Sequence, residues 1–154
     1  MRVLLSVLVA VTSVLTVPSP APAGFVHSAA ADLAYVEQQM YSVSIGAFTT
    51  AADSSGDRWF DWSTDWCSAP LVGSTGRSFD FRASCRRHDF GYRNLQLLER
   101  RYPAGNAWND ASRRRVDQQL LVDMKAHCRA RPWYEEATCR LWADTFYAAV
   151  RLAG

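Results

Sequence analysis

Hydrophobic residues recur at helical spacing over most of the chain, and this pattern predicts an all-α domain of four or five helices. The first helix follows Asp32, a candidate N-cap, because apolar residues then appear at intervals of three or four: Leu33, Val36, Met40, Val43 and Ala47. Residues 49–57 are rich in serine, alanine and glycine and predict a loop. The pattern shows no internal repeat, no convincing β-hairpin signal and no second domain.

The next predicted helix carries a histidine on the side that should face the interior. It runs from about Phe79 to Arg100, and its inward stripe falls at i, i+4, i+7, i+11 and i+14: Phe81, Cys85, His88, Tyr92 and Leu95. Asp89 follows that histidine and is turned by about 100° around the helix axis. The imidazole can therefore face a partner helix while the Asp89 carboxylate faces a neighbouring loop.

A second polar residue interrupts the apolar face of the following helix. That helix starts near Asn109 or Asp110, and Asp117 lies in line with apolar residues one, two and three turns later: Leu121, Met124 and Cys128. The short connection between the two helices predicts roughly antiparallel packing, which would place Asp117 opposite His88. A last helix is predicted after Pro132, with one side formed by Cys139, Trp142, Phe146 and Ala149.

The start of the chain predicts a secreted protein. A basic residue precedes an uncharged apolar run over residues 3–17, and small residues and prolines follow as far as Ala23. This order is typical of a secretory signal peptide, so we expect residues 1–23 to be removed and residues 24–154 to form the mature domain. Residues 29–31 offer a second cleavage site. A membrane anchor is less favoured, because the apolar run is short for a transmembrane helix.

Composition narrows the classes of protein that fit. The chain has 154 residues, 49% of them hydrophobic, with a formal net charge of +2 that falls to +1 when Arg2 leaves with the signal peptide. This balance is too mild to indicate a nucleic-acid partner. About 130 residues would remain, which suits one domain with a modest core.

The cysteines indicate disulfides rather than a metal site. All four lie in the expected mature domain: Cys67, Cys85, Cys128 and Cys139. An even count in a small secreted domain predicts two disulfides, with three pairings open. A zinc site is less favoured, because the sequence contains no Cys-x-x-Cys pair.

The expected contact of His88 with Asp117 suggests a general base. A carboxylate that accepts the ring N–H fixes the imidazole tautomer and leaves the other nitrogen able to take a proton. The alternative is a structural hydrogen bond without chemistry, which is the commoner case for a lone buried pair. Asp65 and Asp89 could share a hard cation such as Ca²⁺, or could be two solvated acids; spacing alone leaves both open.

Several motifs taken together resemble the secreted phospholipases A2, most closely their small prokaryotic, Streptomyces-type branch. A tyrosine four residues after the histidine, Tyr92 after His88, is part of this pattern. The resemblance covers most of the chain from Phe60 onward, through Phe60 to Cys67, Cys85 to Asn94, Arg115 to Asp117, Asp123 to Lys125, and Cys139. His-Asp alone would be a weak signal, whereas the motifs in this order are highly specific.

The resemblance implies a role for each matching residue. His88 would be the general base that activates water, Asp117 its orienting acid, and Tyr92 a hydrogen-bonding support for the pair. Three residues would bind Ca²⁺, two through carboxylates and one through its backbone carbonyl: Asp65, Asp89 and Trp66. The resemblance also implies the disulfides Cys67–Cys85 and Cys128–Cys139.

The function implied is a secreted, calcium-dependent phospholipase A2 that hydrolyses the sn-2 acyl ester of glycerophospholipids without an acyl-enzyme. The alternative is a catalytically silent, secreted calcium-binding module on the same scaffold. A Ser-His-Asp hydrolase is disfavoured, because the chain has no Gly-x-Ser-x-Gly motif. The glycine-rich calcium loop of the animal enzymes is absent, and the loop with Asp65 and Trp66 takes its place. We expect a monomer that acts on a phospholipid membrane or micelle surface.

The remaining polar and aromatic residues are interpreted structurally. We expect His27 to lie in a loose segment without a role, and His127 to lie near a helix end. Most of the aromatic residues between Trp59 and Trp66 should be core, with an acyl-chain channel as the alternative. A solvated face is expected for Arg86, Arg87, Arg100, Arg101 and residues 113–115, with docking to anionic lipid headgroups as the less favoured reading.

Overall fold

The computed structural model describes residues 26–54, 56–67, 75–76, 79–104 and 106–153, so the expected signal peptide lies outside the described residues. Most of the described chain is helical: α1 (Ala29–Glu37), a π-helical turn (Gln38–Ser42), α2 (Ile45–Asp53), α3 (Arg82–Arg101), α4 (Asp110–Arg129) and α5 (Trp133–Ala153). The all-α class is confirmed. None of these helices combines the length and apolar character that crossing a membrane requires.

One short antiparallel ladder accompanies the helices, although the sequence pattern gave no clear sign of it. Its strands are β1 (Thr75–Gly76) and β2 (Phe79–Asp80), with Gly76 opposite Phe79. The helix predicted from Phe79 therefore starts three residues later, at Arg82. The start predicted near Asn109 or Asp110 is confirmed: α4 begins at Asp110, and the Asn109 side chain caps it by accepting the N–H groups of Ala111 and Ser112.

The N-terminal helical region is divided where the spacing predicts one helix. Ser28 caps α1, with its Oγ accepting the Ala31 N–H at 3.2 Å, so the prediction that Asp32 is the cap is wrong. Ser44 starts α2, and its Oγ accepts the Ala47 N–H at 3.1 Å. Both serines have extended backbones, with ψ of 164° and 156°, which places each of them just outside a helix.

The loop predicted over residues 49–57 is wrong in its first part, because α2 continues to Asp53. The hydroxyls of Thr49 and Thr50 donate to carbonyl oxygens of the preceding turn at 2.8 and 3.1 Å. Phe48 and Ala52 are buried on the inner face of this helix. Packing of that face, rather than the propensity of the small residues, explains why the helix persists.

Asp32 is a fully buried carboxylate within α1. Its Oδ1 lies 2.8 Å from His27 Nδ1, and its Oδ2 accepts hydrogen bonds from Trp59 Nε1 at 2.7 Å and the Tyr102 hydroxyl at 3.0 Å. Burial favours the neutral acid, yet these hydrogen bonds hold the pKa of Asp32 below its usual value. His27 also stacks on Trp59, so the expected loose segment is wrong.

Helices α3 and α4 pack antiparallel, as predicted. Arg87 near the start of α3 binds Asp123 near the end of α4, whereas Tyr92 further along α3 contacts Arg113 near the start of α4. Arg87 is 3% exposed and also donates to the Val43 carbonyl at 2.8 Å. The prediction that Arg87 belongs to a solvated face is therefore wrong. Its buried ion pair fixes the register of the two helices.

A glycine allows the π-helical turn to approach α3 closely. A Cβ placed on Gly91 would lie 2.7 Å from Met40 Sδ and 3.0 Å from Val116 Cγ1. Both neighbours are fully buried, so neither has open space to move into. Gly91 therefore lets the π-helical turn, α3 and α4 share one core directly beside His88.

Both disulfides have the pairing that the resemblance implied. Cys67–Cys85, with Cα atoms 5.3 Å apart, ties the end of the loop that carries Trp66 to the start of α3. Cys128–Cys139, with Cα atoms 5.5 Å apart, ties α4 to α5. All four cysteines are buried in one apolar cluster that also contains the main buried side chains of this half of the molecule: Phe79, Phe81, Leu120, Met124 and Phe146.

Candidate active site

Helices α3 and α4 bring a histidine and an aspartate together in the middle of their contact. His88 Nε2 lies 2.9 Å from Asp117 Oδ1, and the two side chains are 9% and 0% exposed. A carboxylate in this position favours the tautomer with hydrogen on Nε2. The lone pair of Nδ1 then remains able to accept a proton.

Tyr92 supports the same carboxylate from one turn further along α3. Its hydroxyl donates to Asp117 Oδ1 at 2.7 Å, and its ring centroid lies 4.5 Å from that of His88. Arg113 Nε donates to the hydroxyl oxygen at 3.3 Å. Burial and the bond to the Asp117 carboxylate raise the pKa of Tyr92 to about 12, so the phenol remains a donor at neutral pH.

The second oxygen of Asp117 has a partner that the sequence analysis missed. Arg151, in the last turn of α5, donates from Nη1 to Asp117 Oδ2 at 2.7 Å. Burial opposes ionisation, but hydrogen bonds from His88, Arg151 and Tyr92 hold the pKa of Asp117 below its usual value. Arg151 is 34 residues from Asp117 and belongs to no local motif, so only the packing of α5 on α4 reveals it.

Asp89 points to the loop that precedes Cys67, as the helical geometry predicted. Its Oδ2 accepts hydrogen bonds from the Thr64 hydroxyl and from the Asp65 N–H at 3.1 Å, while Oδ1 lies 4.0 Å from His88 Nδ1. Burial raises the pKa of Asp89, and the negative charge of Asp65 raises it further against the opposing hydrogen bond from Thr64. Two carboxylates therefore act on each other where α3 meets this loop.

The loop beside Asp89 has an unusual backbone. Trp66 and Cys67 both have left-handed conformations, with φ of 63° and 54°, which non-glycine residues seldom adopt. The Trp66 N–H donates to Thr64 Oγ1 at 3.0 Å, and the disulfide to Cys85 holds the end of the loop. The exposed Asp65 carboxylate lies 3.4 Å from Arg93 Nη2.

The three calcium ligands that the resemblance implied are all hard oxygen donors. They are the carboxylates of Asp65 and Asp89 and the backbone carbonyl of Trp66, groups of the kind that Ca²⁺ prefers. Potential ligand atoms of Cys67, His88 and Asp89 also lie within 4.8 Å of one another. The Cys67 sulfur is bonded to Cys85, however, so it cannot act as a thiolate. The mutual repulsion of two carboxylates, which a bound cation would relieve, fits the calcium site that the resemblance implied.

These side chains open into one cavity of about 320 Å³. The predicted base and the predicted acidic ligands Asp65 and Asp89 all line it. Two further lining residues are polar ones that the sequence analysis did not single out, Arg93 and Gln96. The structure thus brings His88, Asp89, Tyr92 and Asp65 to a common space, with Asp117 buried behind the imidazole. Such a cavity can hold a water molecule against a base and a cation against two acids.

Other predicted positions divide between core and surface. Phe60 is buried and Trp62 is partly buried, whereas Trp59 and Trp66 are 38% and 41% exposed. His127 lies in the last turn of α4, as expected, and its ring contacts Phe81 edge-on.

Comparison with known proteins identifies the family to which the chain belongs. Residues 36–154 match the family model for prokaryotic phospholipase A2. A secretory phospholipase A2 of Arthroderma benhamiae is 32% identical over 124 residues, which cover 79% of this chain and 78% of that protein. A secretory phospholipase A2 of Beauveria bassiana is 29% identical over 143 residues, which cover 93% of this chain and 70% of that protein. The chain belongs to the prokaryotic phospholipase A2 family.

Proposed function

We propose that this protein is a secreted, calcium-dependent phospholipase A2 that hydrolyses the sn-2 acyl ester of glycerophospholipids. Family membership and the secretory relatives support the reaction class and the extracellular location. The observation that carries the finer proposal is the buried contact of His88 with Asp117, beside a cavity that also holds Asp89 and Asp65.

His88 would act as the general base. With its Nε2–H donated to Asp117, its Nδ1 takes a proton from a water molecule as the oxygen attacks the ester carbonyl carbon. The imidazolium then returns the proton to the alkoxide of the departing lysophospholipid, and the acyl group leaves as a fatty acid. Because water is the nucleophile, no acyl-enzyme forms.

Asp117 and Tyr92 would position that base rather than react themselves. The Asp117 carboxylate holds the ring and stabilises the positive charge that the imidazole gains. Tyr92 donates to the same oxygen at 2.7 Å, and its high pKa keeps it a donor throughout the reaction. A carboxylate fixed by several donors need not reorganise when the charge appears.

Asp65 and Asp89 would hold Ca²⁺ through their carboxylates, and Trp66 through its backbone carbonyl. When bound, the ion supplies Lewis-acid polarisation of the ester carbonyl and neutralises the phosphate. The chain prepares this site itself, since the Thr64 hydroxyl and the Asp65 N–H orient the Asp89 carboxylate. Sites of this kind in extracellular proteins typically bind calcium at about 10⁻⁴ to 10⁻³ M.

Product analysis of mixed-chain phosphatidylcholine tests the proposal directly. With millimolar calcium, we expect release of the sn-2 fatty acid alone, and with EDTA we expect no release. Full activity in EDTA would contradict calcium dependence, and release of the sn-1 chain would contradict the ester assignment. Calcium binding without hydrolysis of any phospholipid would instead favour the catalytically silent module, which the comparisons do not favour.

A further inference from the structure

A second groove lies beside Arg151, the residue that donates to the Asp117 oxygen that His88 does not contact. It has a volume of about 560 Å³ and shares no lining residue with the cavity beside His88. Three arginines, two glutamines and two tyrosines line it, and Arg151 is among them. Arg151 is therefore both a wall of this groove and a hydrogen-bond donor to Asp117 at 2.7 Å.

The groove contains an excess of positive charge. Its lining includes Arg114, Arg115 and Arg151 but no carboxylate. Arg115 pairs with Glu37 at 2.5 Å, and Arg151 pairs with Asp117. Arg114 makes no ion pair with any residue in the described part of the chain and is exposed. One cation without an ion-pair partner among the described residues therefore lines the groove together with two guanidinium groups that each have such a partner.

The donors in this groove suit a phosphate group. Guanidinium groups present planar pairs of N–H donors that match phosphate oxygens, and the Gln118 amide and the tyrosine hydroxyls add further donors, whereas the Gln119 amide already donates to Asp123. The Arg115 guanidinium lies 4.0 Å from the Tyr41 ring centroid, which holds it flat against one wall. A tetrahedral dianion with several acceptor oxygens can satisfy these donors together.

We propose that the groove binds a phosphate group and that Arg151 couples its occupancy to the active site. The binding stands on the lining alone, whereas the coupling rests on the proposed phospholipase function. A phosphate that attracts Arg151 competes with Asp117 for the same guanidinium. Asp117 is then held less firmly, and turnover falls by about two- to tenfold, as expected for the loss of one hydrogen bond.

Binding is measured without turnover, by titrating inorganic phosphate into the protein in EDTA at constant ionic strength. We expect calorimetric binding to the unaltered protein and at least about tenfold weaker binding to Arg114→Gln. Arg129→Gln is the matched control, because Arg129 is an exposed arginine on the same helix outside the groove. If the unaltered protein bound no phosphate, or if both variants bound it equally weakly, the proposed phosphate site would be wrong.

A second arm distinguishes a lipid headgroup from free phosphate. Sedimentation with phosphatidylcholine vesicles, with and without phosphatidic acid, is carried out in EDTA. If a headgroup occupies the groove, phosphatidic acid increases binding of the unaltered protein more than that of Arg114→Gln, and inorganic phosphate reverses the increase. If free phosphate is the ligand, the two proteins bind both vesicles equally while phosphate still binds in solution. Either result supports the groove as a phosphate site.

The coupling is tested with sn-glycerol 3-phosphate, which stays soluble with calcium. It should lower kcat of the unaltered protein and of Arg129→Gln while leaving Arg114→Gln unaffected. Equal inhibition of all three would reveal calcium depletion and overturn the coupling. Because binding is measured independently of hydrolysis, an inactive protein that still binds phosphate would contradict the proposed function and leave the groove intact.

Discussion

At the scale of single residues, the Asp117 carboxylate gathers donors from two other helices. His88 and Tyr92 reach Oδ1 from α3, and Arg151 reaches Oδ2 from α5. An ionised carboxylate can accept all three bonds, because both of its oxygens are acceptors and neither carries a hydrogen. An amide in this place would present N–H groups to donors and would lose the negative charge that balances an imidazolium.

We therefore expect Asp117→Asn to lower kcat by roughly 10²- to 10⁴-fold, the range for a displaced general base. Initial rates on phosphatidylcholine in saturating calcium measure the change, and circular dichroism checks that the helices remain. Asp110→Asn is the matched control, since Asp110 is an exposed acid on the same helix. A rate within about threefold of the unaltered protein would remove Asp117 from the mechanism.

Asp32 offers a residue-scale prediction about stability. Its pKa in the folded protein is below the usual value, because hydrogen bonds from His27, Trp59 and Tyr102 outweigh the cost of burial. A group with a lowered folded pKa stabilises the fold above its unfolded pKa, and the contribution disappears as pH falls through the folded value. The charged form of Asp32 therefore contributes fully at neutral pH and progressively less below about pH 4.

Replacing Asp32 with asparagine should cost about 1–3 kcal/mol of unfolding free energy at pH 7. The difference from the unaltered protein should shrink as the pH is lowered from 5 to 3, which urea denaturation at each pH can measure. Asp53→Asn is the control, because this exposed acid lies in the neighbouring helix. A constant difference across this pH range would show that charge on Asp32 does not contribute.

At the scale of elements, each disulfide has a different task. Cys67–Cys85 holds the loop with Asp65 and Trp66 against α3, whereas Cys128–Cys139 joins α4 to α5. The chain-entropy model gives both bridges a similar stabilisation, about 3 kcal/mol for loops of this size. We therefore expect removal of either disulfide to lower stability by a similar amount, whereas only removal of Cys67–Cys85 should lower calcium affinity.

We expect the double substitution Cys67→Ser with Cys85→Ser to weaken calcium binding by at least about tenfold, because the two acidic ligands lose their fixed spacing. Its matched control, Cys128→Ser with Cys139→Ser, should bind calcium normally with a comparable loss of stability. Calorimetric calcium titration and urea denaturation of both proteins provide the two measurements. Equal calcium affinity in the two variants would show that the Cys67–Cys85 disulfide does not contribute to the proposed calcium site.

The elements show which kind of information the sequence pattern contains. Helices α3 to α5 follow from their spacing, because long amphipathic helices bury one face whatever their neighbours are. The sequence pattern predicts Asp32 as a cap only because aspartate favours that position locally. Its true partners, Trp59 and Tyr102, are 27 and 70 residues away. Local propensity cannot predict a buried carboxylate whose hydrogen-bond donors come from distant parts of the chain.

At the scale of the whole molecule, some residues of the candidate site could be predicted from the sequence and others could not. The difference is again between local sequence pattern and tertiary packing. His88 and Asp117 could be found because each interrupts an apolar stripe on a helix of predictable direction. Arg151 interrupts no such stripe, and its contact depends on how α5 crosses α4. The groove proposed to bind phosphate also depends on how elements pack, since its walls come from α4, α5 and the π-helical turn. Function at this scale depends on surfaces that no single element contains.

The exposed tryptophan beside the candidate active-site cavity gives a last prediction at this scale. Trp66 is 41% exposed and follows Asp65, which lines that cavity. An amphipathic indole suits the boundary between headgroups and acyl chains, so we expect this side chain to contact the lipid surface.

Trp66→Ala should weaken binding to phosphatidylcholine vesicles roughly five- to thirtyfold, from the loss of about 1–2 kcal/mol of apolar burial. Hydrolysis of a short-chain phospholipid below its micelle concentration should change far less, because no lipid surface is present. Trp133→Ala is the control, since Trp133 is 85% exposed and lines neither the cavity nor the groove. If both variants lose vesicle binding equally, any exposed tryptophan suffices; if only the monomeric rate falls, Trp66 serves the chemistry rather than the surface.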